Sequence, residues 1–425
     1  MKEIKVKGVN EVVYYEKLDN KLEVYLYNKE GVSNNYVTFT TKFGASIDNF
    51  IPLDKKKYTV VPKGIAHFLE HLLFNQEKNL SPFDFYNNNG AFVNASTNLK
   101  YTTYNFSGPT NLEDNIAYLL DFVQSPYFTD ELIEKERGII IQEIGLVKDS
   151  PWRVLYEKSI HNAFVSNPVR NSVIGSIKDI KKINKEHLYD CYNTFYNPEN
   201  MFIVVTGNFD VNKIMNLIKE NQAKKKLVQG CEKRIKKFVE KDCVYKDEEV
   251  IYMDTDISKV SYNIKLSDAN LKGYTKLEVM LYLSILFAIL FDDTSKFDED
   301  LKEKFIIDFT TEVEIFNTFS HYLITIVNST NKSDEFINEI RNCLKNMVIT
   351  EADFNRKKKV YLSLNMFSFD DIFSINYEIA TAVIMFDKYD GNINQVINNL
   401  SFEKLNEMIK KLQFNNVNIV KIAKK

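Results

Sequence analysis

The chain is poor in cysteine, and the few cysteines that it has are scattered. The 425 residues include Cys191, Cys231, Cys243 and Cys343, and no two of them form a C-x-x-C pair. This spacing argues against a structural zinc site built from cysteines and against a redox motif. An even number of cysteines would allow disulfides, but nothing in the sequence marks the chain as secreted. We therefore expect reduced thiols and a cytoplasmic protein.

The sequence also lacks an excess of charge of either sign and a long apolar segment. It has 55 Lys and Arg against 58 Asp and Glu, a net charge of −3, so no basic surface for nucleic acid is expected. The longest apolar run, Val279–Phe291, is too short to span a bilayer, and we interpret it as a buried helix. Residues 1–8 contain no apolar segment of the signal-peptide kind. We expect neither a nucleic-acid partner nor a membrane.

Histidine is scarce, with five in the chain, yet two of them lie in one short segment. Residues 64–74 read GIAHFLEHLLF and contain the pattern H-x-x-E-H. On a helix, His67 and His71 share one face, with Glu70 between them. Two imidazoles at this spacing can hold a zinc ion while the carboxylate faces its bound water. The alternative is a pair of incidental histidines, and the scarcity of histidine weighs against it.

The opposite face of the same helix is apolar. Its side chains repeat at i, i+3, i+4, i+7 and i+8, which is the pattern of a helix packed on a core. The residues of this stripe are Ile65, Phe68, Leu69, Leu72 and Leu73. The face that carries the histidines is therefore expected to line a cleft.

A second helix is predicted from about Asp130 to Val147, with Thr129 as its N-cap. Its many isoleucines predict a buried helix, yet Glu136 and Glu143 lie seven residues apart on nearly the same face. Buried carboxylates are costly unless they are paired or bound to a metal. An ordinary pair of surface glutamates fits the spacing as well. Spacing alone does not tell which glutamate would be a ligand.

The remaining patterns predict strands and a division of the chain. The length favours two or more domains. Residues 213–236, rich in lysine and poor in aromatics, are interpreted as a solvated linker rather than a binding patch. We therefore predict an N-terminal domain at 1–228 and a C-terminal domain at 229–425. The strand candidates are Leu22–Tyr27, Tyr36–Phe43, a hairpin over Gly90–Phe106, Asn200–Gly207, Val260–Ile264, His321–Val327 and Val417–Ile422.

Several segments together resemble the pitrilysin/insulysin family of inverzincin metallopeptidases, which includes the mitochondrial processing peptidases. The resemblance extends over about residues 60–210. It implies an α+β fold of two homologous α/β halves, each an antiparallel-rich sheet with helices on one face, that form part of a closed peptidase chamber. The segments that carry it are GIAHFLEHLLF, GAFVNASTNLKYTTY, IEKERGIIIQEI, NPVRNSVIGSIKDIKKI and FYNPENMFIVVTGNFD.

Carried over residue by residue, the resemblance implies one zinc ion per chain, bound by His67, His71 and Glu143 in the N-terminal domain. Glu70 would be the general base that activates water. Glu136 would be a supporting catalytic carboxylate that orients a histidine or the ion. Three protein ligands leave a fourth position for water, which is the pattern of a catalytic zinc site. The donor set by itself would also accept other divalent ions.

The same resemblance implies a substrate-binding strand. Asn94 and Ala95 would lie on an edge strand onto which an extended peptide adds by backbone pairing. The alternative for Asn94 is an ordinary polar residue near a turn. Backbone pairing tolerates many side chains, so the implied function is a zinc metalloendopeptidase that hydrolyses peptides or unfolded polypeptides.

The second half of the chain departs from the family pattern. Active members carry an Arg and a Tyr there that hold the substrate carbonyl and the oxyanion, and the matching residues here are Lys302 and Phe309. Phe has no hydroxyl, and Lys lacks the bidentate grip of Arg. We therefore hypothesise a heterodimer in which a paralogous subunit without the zinc motif supplies the pair, because a homodimer would not restore it. The alternatives are a non-catalytic scaffold or core subunit of the same fold, and a zinc hydrolase acting on something other than peptides.

Overall fold

The chain forms two units, and each unit is assembled from separate stretches of sequence. The computed structural model describes residues 1–77, 81–225, 234–318 and 320–425. Unit 1 comprises Met1–Ile144, Asn171–Lys237 and Met366–Asn392. Unit 2 comprises Gly145–Arg170, Phe238–Asn365 and Ile393–Lys425.

This interleaving differs from the continuous division predicted at residues 228 and 229. The predicted boundary lies outside the described residues, so it stays a prediction. Residues 145–170 nevertheless belong to unit 2 and residues 366–392 belong to unit 1. Sequence patterns report periodicity along the chain, and they do not tell on which sheet a helix packs.

The strands have the following bounds: β1 Lys2–Lys5, β2 Val12–Lys17, β3 Glu23–Asn28, β4 Asn35–Thr41, β5 Asn49–Ile51, β6 Thr59–Val60, β7 Phe92–Thr97, β8 Thr102–Gly108, β9 Met201–Gly207, β10 Arg234–Ile235, β11 Glu248–Met253, β12 Lys259–Ser267, β13 Glu312–Asn317, β14 His321–Ser329 and β15 Val417–Lys424.

The α-helices have the following bounds: α1 Ile65–Leu73, α2 Pro82–Asn88, α3 Leu112–Val123, α4 Asp130–Lys148, α5 Pro151–Ala163, α6 Ile177–Ile180, α7 Lys185–Phe195, α8 Val211–Ala223, α9 Lys276–Phe291, α10 Lys296–Glu303, α11 Ser333–Lys345, α12 Glu351–Phe367, α13 Ile372–Phe386, α14 Ile393–Asn399 and α15 Phe402–Ile409. Within the described ranges, every helix is too short or too polar to traverse a lipid bilayer.

A seven-stranded sheet forms the centre of unit 1, in the order β1-β2-β3-β9-β4-β8-β7. All neighbours pair antiparallel except β3 and β9, which are parallel. Every residue of β9 is buried, as expected for an apolar run in mid-sheet. β7 occupies one edge of the sheet. Its outer backbone groups therefore have no neighbouring strand in this sheet.

Unit 2 contains a five-stranded sheet in the order β11-β15-β12-β14-β13. Only β11 and β15 pair parallel, and the other neighbours are antiparallel. The apolar run that we predicted to be a buried helix lies within α9, which begins at a capping box formed by Thr275 and Glu278. The antiparallel-rich α+β architecture predicted from the sequence is thus confirmed.

Two predictions of local structure are wrong. Residues 213–223, interpreted as part of a linker, lie in α8, whose buried side chains Ile214, Met215 and Ile218 follow helical spacing. The abundance of lysine concealed this short apolar stripe. Residues 226–233 of the predicted linker lie outside the described residues. In addition, α4 is not buried all round, because Ile139 is 42 % exposed.

The cysteines that the structure describes are free thiols. Cys191 is buried, Cys343 is partly buried and Cys243 is exposed. Burial raises the pKa of Cys191 well above its usual range, so this thiol is inert. Cys231 lies outside the described residues.

A fully buried ion pair fixes residues 240–243 to the sheet of unit 2. The Nζ atom of Lys265 on β12 lies 2.7 Å from a carboxylate oxygen of Glu240, and both side chains are inaccessible to solvent. Lys265 also donates to the carbonyl oxygens of Lys241 and Cys243 at 2.6 and 2.9 Å. Glu240 accepts hydrogen bonds from the backbone N–H groups of residues 165, 166 and 167. Each charge is therefore compensated by its partner and by several hydrogen bonds.

We predict that Lys265→Met destabilises unit 2 by about 3–5 kcal/mol, because it leaves the Glu240 carboxylate buried without its counter-ion. We expect a lower midpoint of urea-induced unfolding, followed by a probe in unit 2 such as the fluorescence of Trp152. Lys272→Met is the matched control, since Lys272 is exposed. Equal midpoints for the two variants would contradict the prediction.

Candidate metal centre

Helix α1 begins at a glycine that no other residue can replace without strain. Gly64, its N-cap, has φ +83°, in the left-handed region that favours glycine. A Cβ atom at this position would lie 2.4 Å from the carbonyl oxygen of Ile174. The backbone of residues 174 and 175 thus packs directly against the start of the helix. This contact fixes where α1 begins and the direction in which its faces point.

The apolar stripe of α1 is buried as the sequence predicts. Phe68, Leu69, Leu72 and Leu73 are fully buried and Ile65 is nearly so. His67 and His71 lie on the other face, with side chains 13 % and 24 % exposed. Their ring centroids are 4.6 Å apart. The two imidazoles therefore lie side by side, as expected for positions i and i+4.

Helix α4 brings Glu143 to both histidines. Its Oε1 atom lies 3.7 Å from Nε2 of His67, and its Oε2 atom lies 3.6 Å from Nε2 of His71. One donor atom from each of these three residues falls within 4.8 Å of the others. Thr129 caps α4 by accepting a hydrogen bond from the N–H of Leu132 at 3.2 Å, as predicted.

The donor set of these three residues fits a zinc ion. Zinc binds imidazole nitrogen and carboxylate oxygen at about 2.0–2.2 Å, so tetrahedral ligand atoms lie roughly 3.4 Å apart. The nitrogen–oxygen separations of 3.6 and 3.7 Å are close to that value. Three protein ligands would leave one position open, which is the arrangement of a catalytic rather than a structural site.

Glu136 lies two helical turns before Glu143 on α4, and its carboxylate contacts His71. Its Oε2 atom lies 3.4 Å from Nδ1 of His71, and its Oε1 atom accepts a hydrogen bond of 3.3 Å from the side chain of Asn75. Glu136 is only 6 % exposed. A carboxylate on Nδ1 favours the tautomer that leaves Nε2 free to bind a metal.

The carboxylates also alter the protonation of His71. Burial by itself disfavours the charged imidazolium, but the hydrogen bond with Glu136 and the charges of Glu70 and Glu143 outweigh burial and raise the pKa of His71. A metal ligand must be the neutral imidazole, so binding of a metal competes with this proton.

Glu70 is buried on α1, beside the two histidines. Its side chain is 8 % exposed, and its Oε2 atom accepts a hydrogen bond of 2.6 Å from the hydroxyl of Thr97. Burial raises the pKa of Glu70, and this effect is only partly offset by Thr97 and by the nearby imidazole of His71. A raised pKa suits a carboxylate that accepts a proton and later returns it.

Asn94 and Ala95 lie on β7, the edge strand of the sheet in unit 1. Asn94 is exposed. Its Oδ1 atom accepts a hydrogen bond of 2.9 Å from the N–H of Ala95. The two residues are therefore not buried in the core, and their roles in binding substrate stay predictions.

Two contacts in this region were not predicted from the sequence. Thr97 contacts Glu70, and Asn75 contacts Glu136. Thr97 is three positions beyond Asn94 in the predicted hairpin, and Asn75 follows the motif helix directly, but neither residue type carries a metal or acid–base signature. Proximity in the folded chain is what identifies them.

Lys302 and Phe309, aligned with the family Arg and Tyr, both belong to unit 2. The Nζ atom of Lys302 contacts Asp298 at 2.6 Å and the hydroxyl of Thr310 at 3.1 Å. The side chain of Phe309 is 61 % exposed. Lys302 is thus engaged within its own unit, and an exposed Phe offers no hydrogen-bond donor.

Two family models match the chain. Residues 53–177 match the model described as insulinase, peptidase family M16. Residues 182–361 match the model described as peptidase M16 inactive domain. The first match contains the histidines and glutamates described above, and the second contains Lys302 and Phe309.

Comparison with individual proteins also gives matches to peptidases. The uncharacterized zinc protease YmfH of Bacillus subtilis is 35 % identical over 365 residues, which is 85 % of either chain. The beta subunit of the mouse mitochondrial-processing peptidase is 29 % identical over 160 residues, 37 % of this chain and 33 % of that subunit. The crystal structure of an M16-like peptidase from Alicyclobacillus acidocaldarius superposes with a TM-score of 0.91 at 27 % identity, covering 98 % of this chain and 99 % of that one.

We predict that Glu136→Gln lowers zinc affinity by about 10- to 100-fold, because the neutral amide orients and polarises His71 less strongly than a carboxylate does. Competition with a chromogenic chelator measures this affinity without any assay of activity. Glu131→Gln is the matched control, since Glu131 is an exposed residue of the same helix. Equal affinities for the two variants would contradict the role of Glu136.

A second prediction concerns Gly64. Gly64→Ala places a methyl group against the Ile174 carbonyl and also forces alanine to a positive φ, so we expect a loss of about 3 kcal/mol or more in stability and impaired zinc binding. Gly31→Ala is the matched control, because Gly31 has φ +84° but no atom within 4 Å of the added Cβ. The control should lose only about 1 kcal/mol. Urea denaturation compares them, and a similar loss in both would rule out the steric role of Ile174.

Proposed function

The chain belongs to the insulinase family of peptidases, M16, and on that premise we propose that it is a zinc-dependent metalloendopeptidase that hydrolyses peptides or unfolded polypeptides. The observation that carries the proposal is the convergence of His67, His71 and Glu143 within 4.8 Å. Glu70 lies on the same helix face, and its carboxylate is buried. Relatives named zinc proteases support the same chemistry.

In the proposed reaction, His67, His71 and Glu143 would hold one zinc ion and Glu136 would orient His71. The ion, when bound, supplies a Lewis acid that polarises the peptide carbonyl and lowers the pKa of water to about 7. Glu70 accepts a proton from the attacking water and passes it to the leaving amine, which balances the hydrolysis. The raised pKa of Glu70 favours the first of these transfers, because it makes the carboxylate a stronger base.

The proposed substrate binds in extended form along β7. Ala95 and Asn94 lie on an edge strand, and an added strand gains backbone hydrogen bonds without requiring particular side chains. This mode of binding favours peptides and unfolded chains over folded proteins, because folded proteins rarely present an unpaired strand. A closed chamber around this strand stays a prediction.

We further propose that the chain is the zinc-bearing subunit of a heterodimer. Lys302 and Phe309 lack the bidentate grip and the hydroxyl of the family pair, so one donor to the oxyanion, typically worth about 3 kcal/mol, is missing from this chain. A paralogue without the zinc motif would supply it. The mitochondrial relative is named as a beta subunit, which accords with an assembly of more than one subunit. The proposed location is the cytoplasm, which the free thiols favour.

The second candidate is a non-catalytic scaffold of the same fold. It is favoured by the match of residues 182–361 to a model described as an inactive domain. It leaves unexplained why His67, Glu70, His71, Glu136 and Glu143 are all present and adjacent. Since a scaffold needs none of them, we favour the peptidase.

The test is digestion of a peptide library by the purified chain, alone and with a paralogue that lacks H-x-x-E-H, monitored by mass spectrometry. We expect Glu70→Gln to retain one zinc per chain and to lose about 10²–10⁴-fold in kcat, the usual contribution of a general base. Glu77→Gln is the control, since Glu77 is exposed.

The outcomes separate the candidates. Cleavage only with the paralogue supports the heterodimer, whereas full activity of the chain alone contradicts that part of the proposal. Zinc binding without cleavage in either sample favours the scaffold, and cleavage of a non-peptide substrate alone would point to another hydrolase. Absence of zinc in the wild type would overturn the metallopeptidase itself.

A further inference from the structure

Thr97 is the last residue of β7, and its hydroxyl contacts the carboxylate of Glu70. The distance between Oγ1 of Thr97 and Oε2 of Glu70 is 2.6 Å. This is the length of a hydrogen bond from a hydroxyl to a charged carboxylate. Glu70 is 8 % exposed, so a donor in this position compensates for much of the water that its carboxylate has lost.

A second threonine fixes the direction of this hydrogen bond. Thr102 lies opposite Thr97 in the β7–β8 hairpin, with the two hydroxyl oxygens 3.4 Å apart. Thr102 is fully buried, and its own proton is donated to the carbonyl oxygen of Phe43 at 2.9 Å. Thr102 therefore does not require the proton of Thr97. The shorter contact, to the negatively charged oxygen, takes that proton.

We propose that Thr97 is a positioning residue for the general base, and this inference rests on the proposed function. Its hydroxyl holds Oε2 of Glu70, which assigns the transfer of protons to Oε1. Because one acceptor oxygen is held in a fixed orientation, the base is preorganised for proton transfer. We expect this preorganisation to raise kcat.

The position of Thr97 in the chain gives this contact a further consequence. Asn94 and Ala95, the residues proposed to pair with the peptide, precede Thr97 on the same strand. One strand then both receives the peptide and holds the base. Only three positions of this strand separate Asn94 from Thr97. The backbone of the strand, rather than packing between distant elements, therefore fixes the distance from the bound peptide to Glu70.

The test compares Thr97→Val with Thr97→Ser in the full chain, assayed with whichever partner restores cleavage. Valine keeps the shape and removes the donor, whereas serine keeps the donor. We expect Thr97→Val to lower kcat by about 10- to 100-fold, with KM within about threefold and the zinc content unchanged, and Thr97→Ser to retain most of the activity. Thr110→Val is the control, because Thr110 is an exposed residue whose hydroxyl donates to the backbone carbonyl of Asn89.

Infrared difference spectra supply a readout that does not depend on cleavage. Wild type minus Glu70→Gln isolates the carboxylate band of Glu70. We expect Thr97→Val, but not Thr97→Ser, to shift this band. If Thr97→Val shifts the band but the chain cleaves no peptide, the contact between Thr97 and Glu70 is supported and the proposed function is rejected. An unshifted band, wild-type kcat in Thr97→Val, or equal losses in the valine and serine variants would overturn the proposal.

Discussion

The packing of α4 against α1 is the constraint on which the candidate site depends. It brings the buried carboxylate of Glu136 and the partly buried carboxylate of Glu143 to the imidazoles of the motif helix. Carboxylates in such a place are tolerated only when cations or donors compensate them. Arg137 holds α4 in position, since its guanidinium donates to the carbonyl oxygen of Ile183 at 2.9 Å and lies 5.9 Å from the ring centroid of Phe68 on α1.

The carboxylates of the candidate site differ in their surroundings. Glu70 is buried and held by a single threonine, and its pKa is raised. Glu143 reaches both histidines and is one-third exposed, which suits a ligand in a cleft. Glu136 is buried beside one histidine and bonded to Asn75, which suits a role in orientation. The three roles proposed for these similar side chains accord with their different hydrogen-bond partners and burial.

In unit 2, the charged residues described above form ion pairs with one another. Lys265 and Glu240 form a pair without solvent access, and each has several further hydrogen bonds, so this pair serves to fix the chain. Lys302 is paired with Asp298 and Thr310 within the same unit. In the part of this unit that the structure describes, no group of three or more histidine, cysteine or acidic residues is arranged to hold a metal. Among the described residues, the candidate ligands His67, His71 and Glu143 all belong to unit 1.

Much of the site could be read from the sequence, because a helix places residues three and four apart on one face whatever surrounds it. That rule yields the alignment of His67, Glu70 and His71 and the buried stripe behind them. The rule does not tell which glutamate of α4 reaches the histidines, because that depends on how two helices pack. It also does not identify Thr97, which is 27 positions from Glu70 in the chain but 2.6 Å away in space. The interleaving of the two units was hidden for the same reason: local patterns specify each element, whereas contacts between distant segments decide where the element lies.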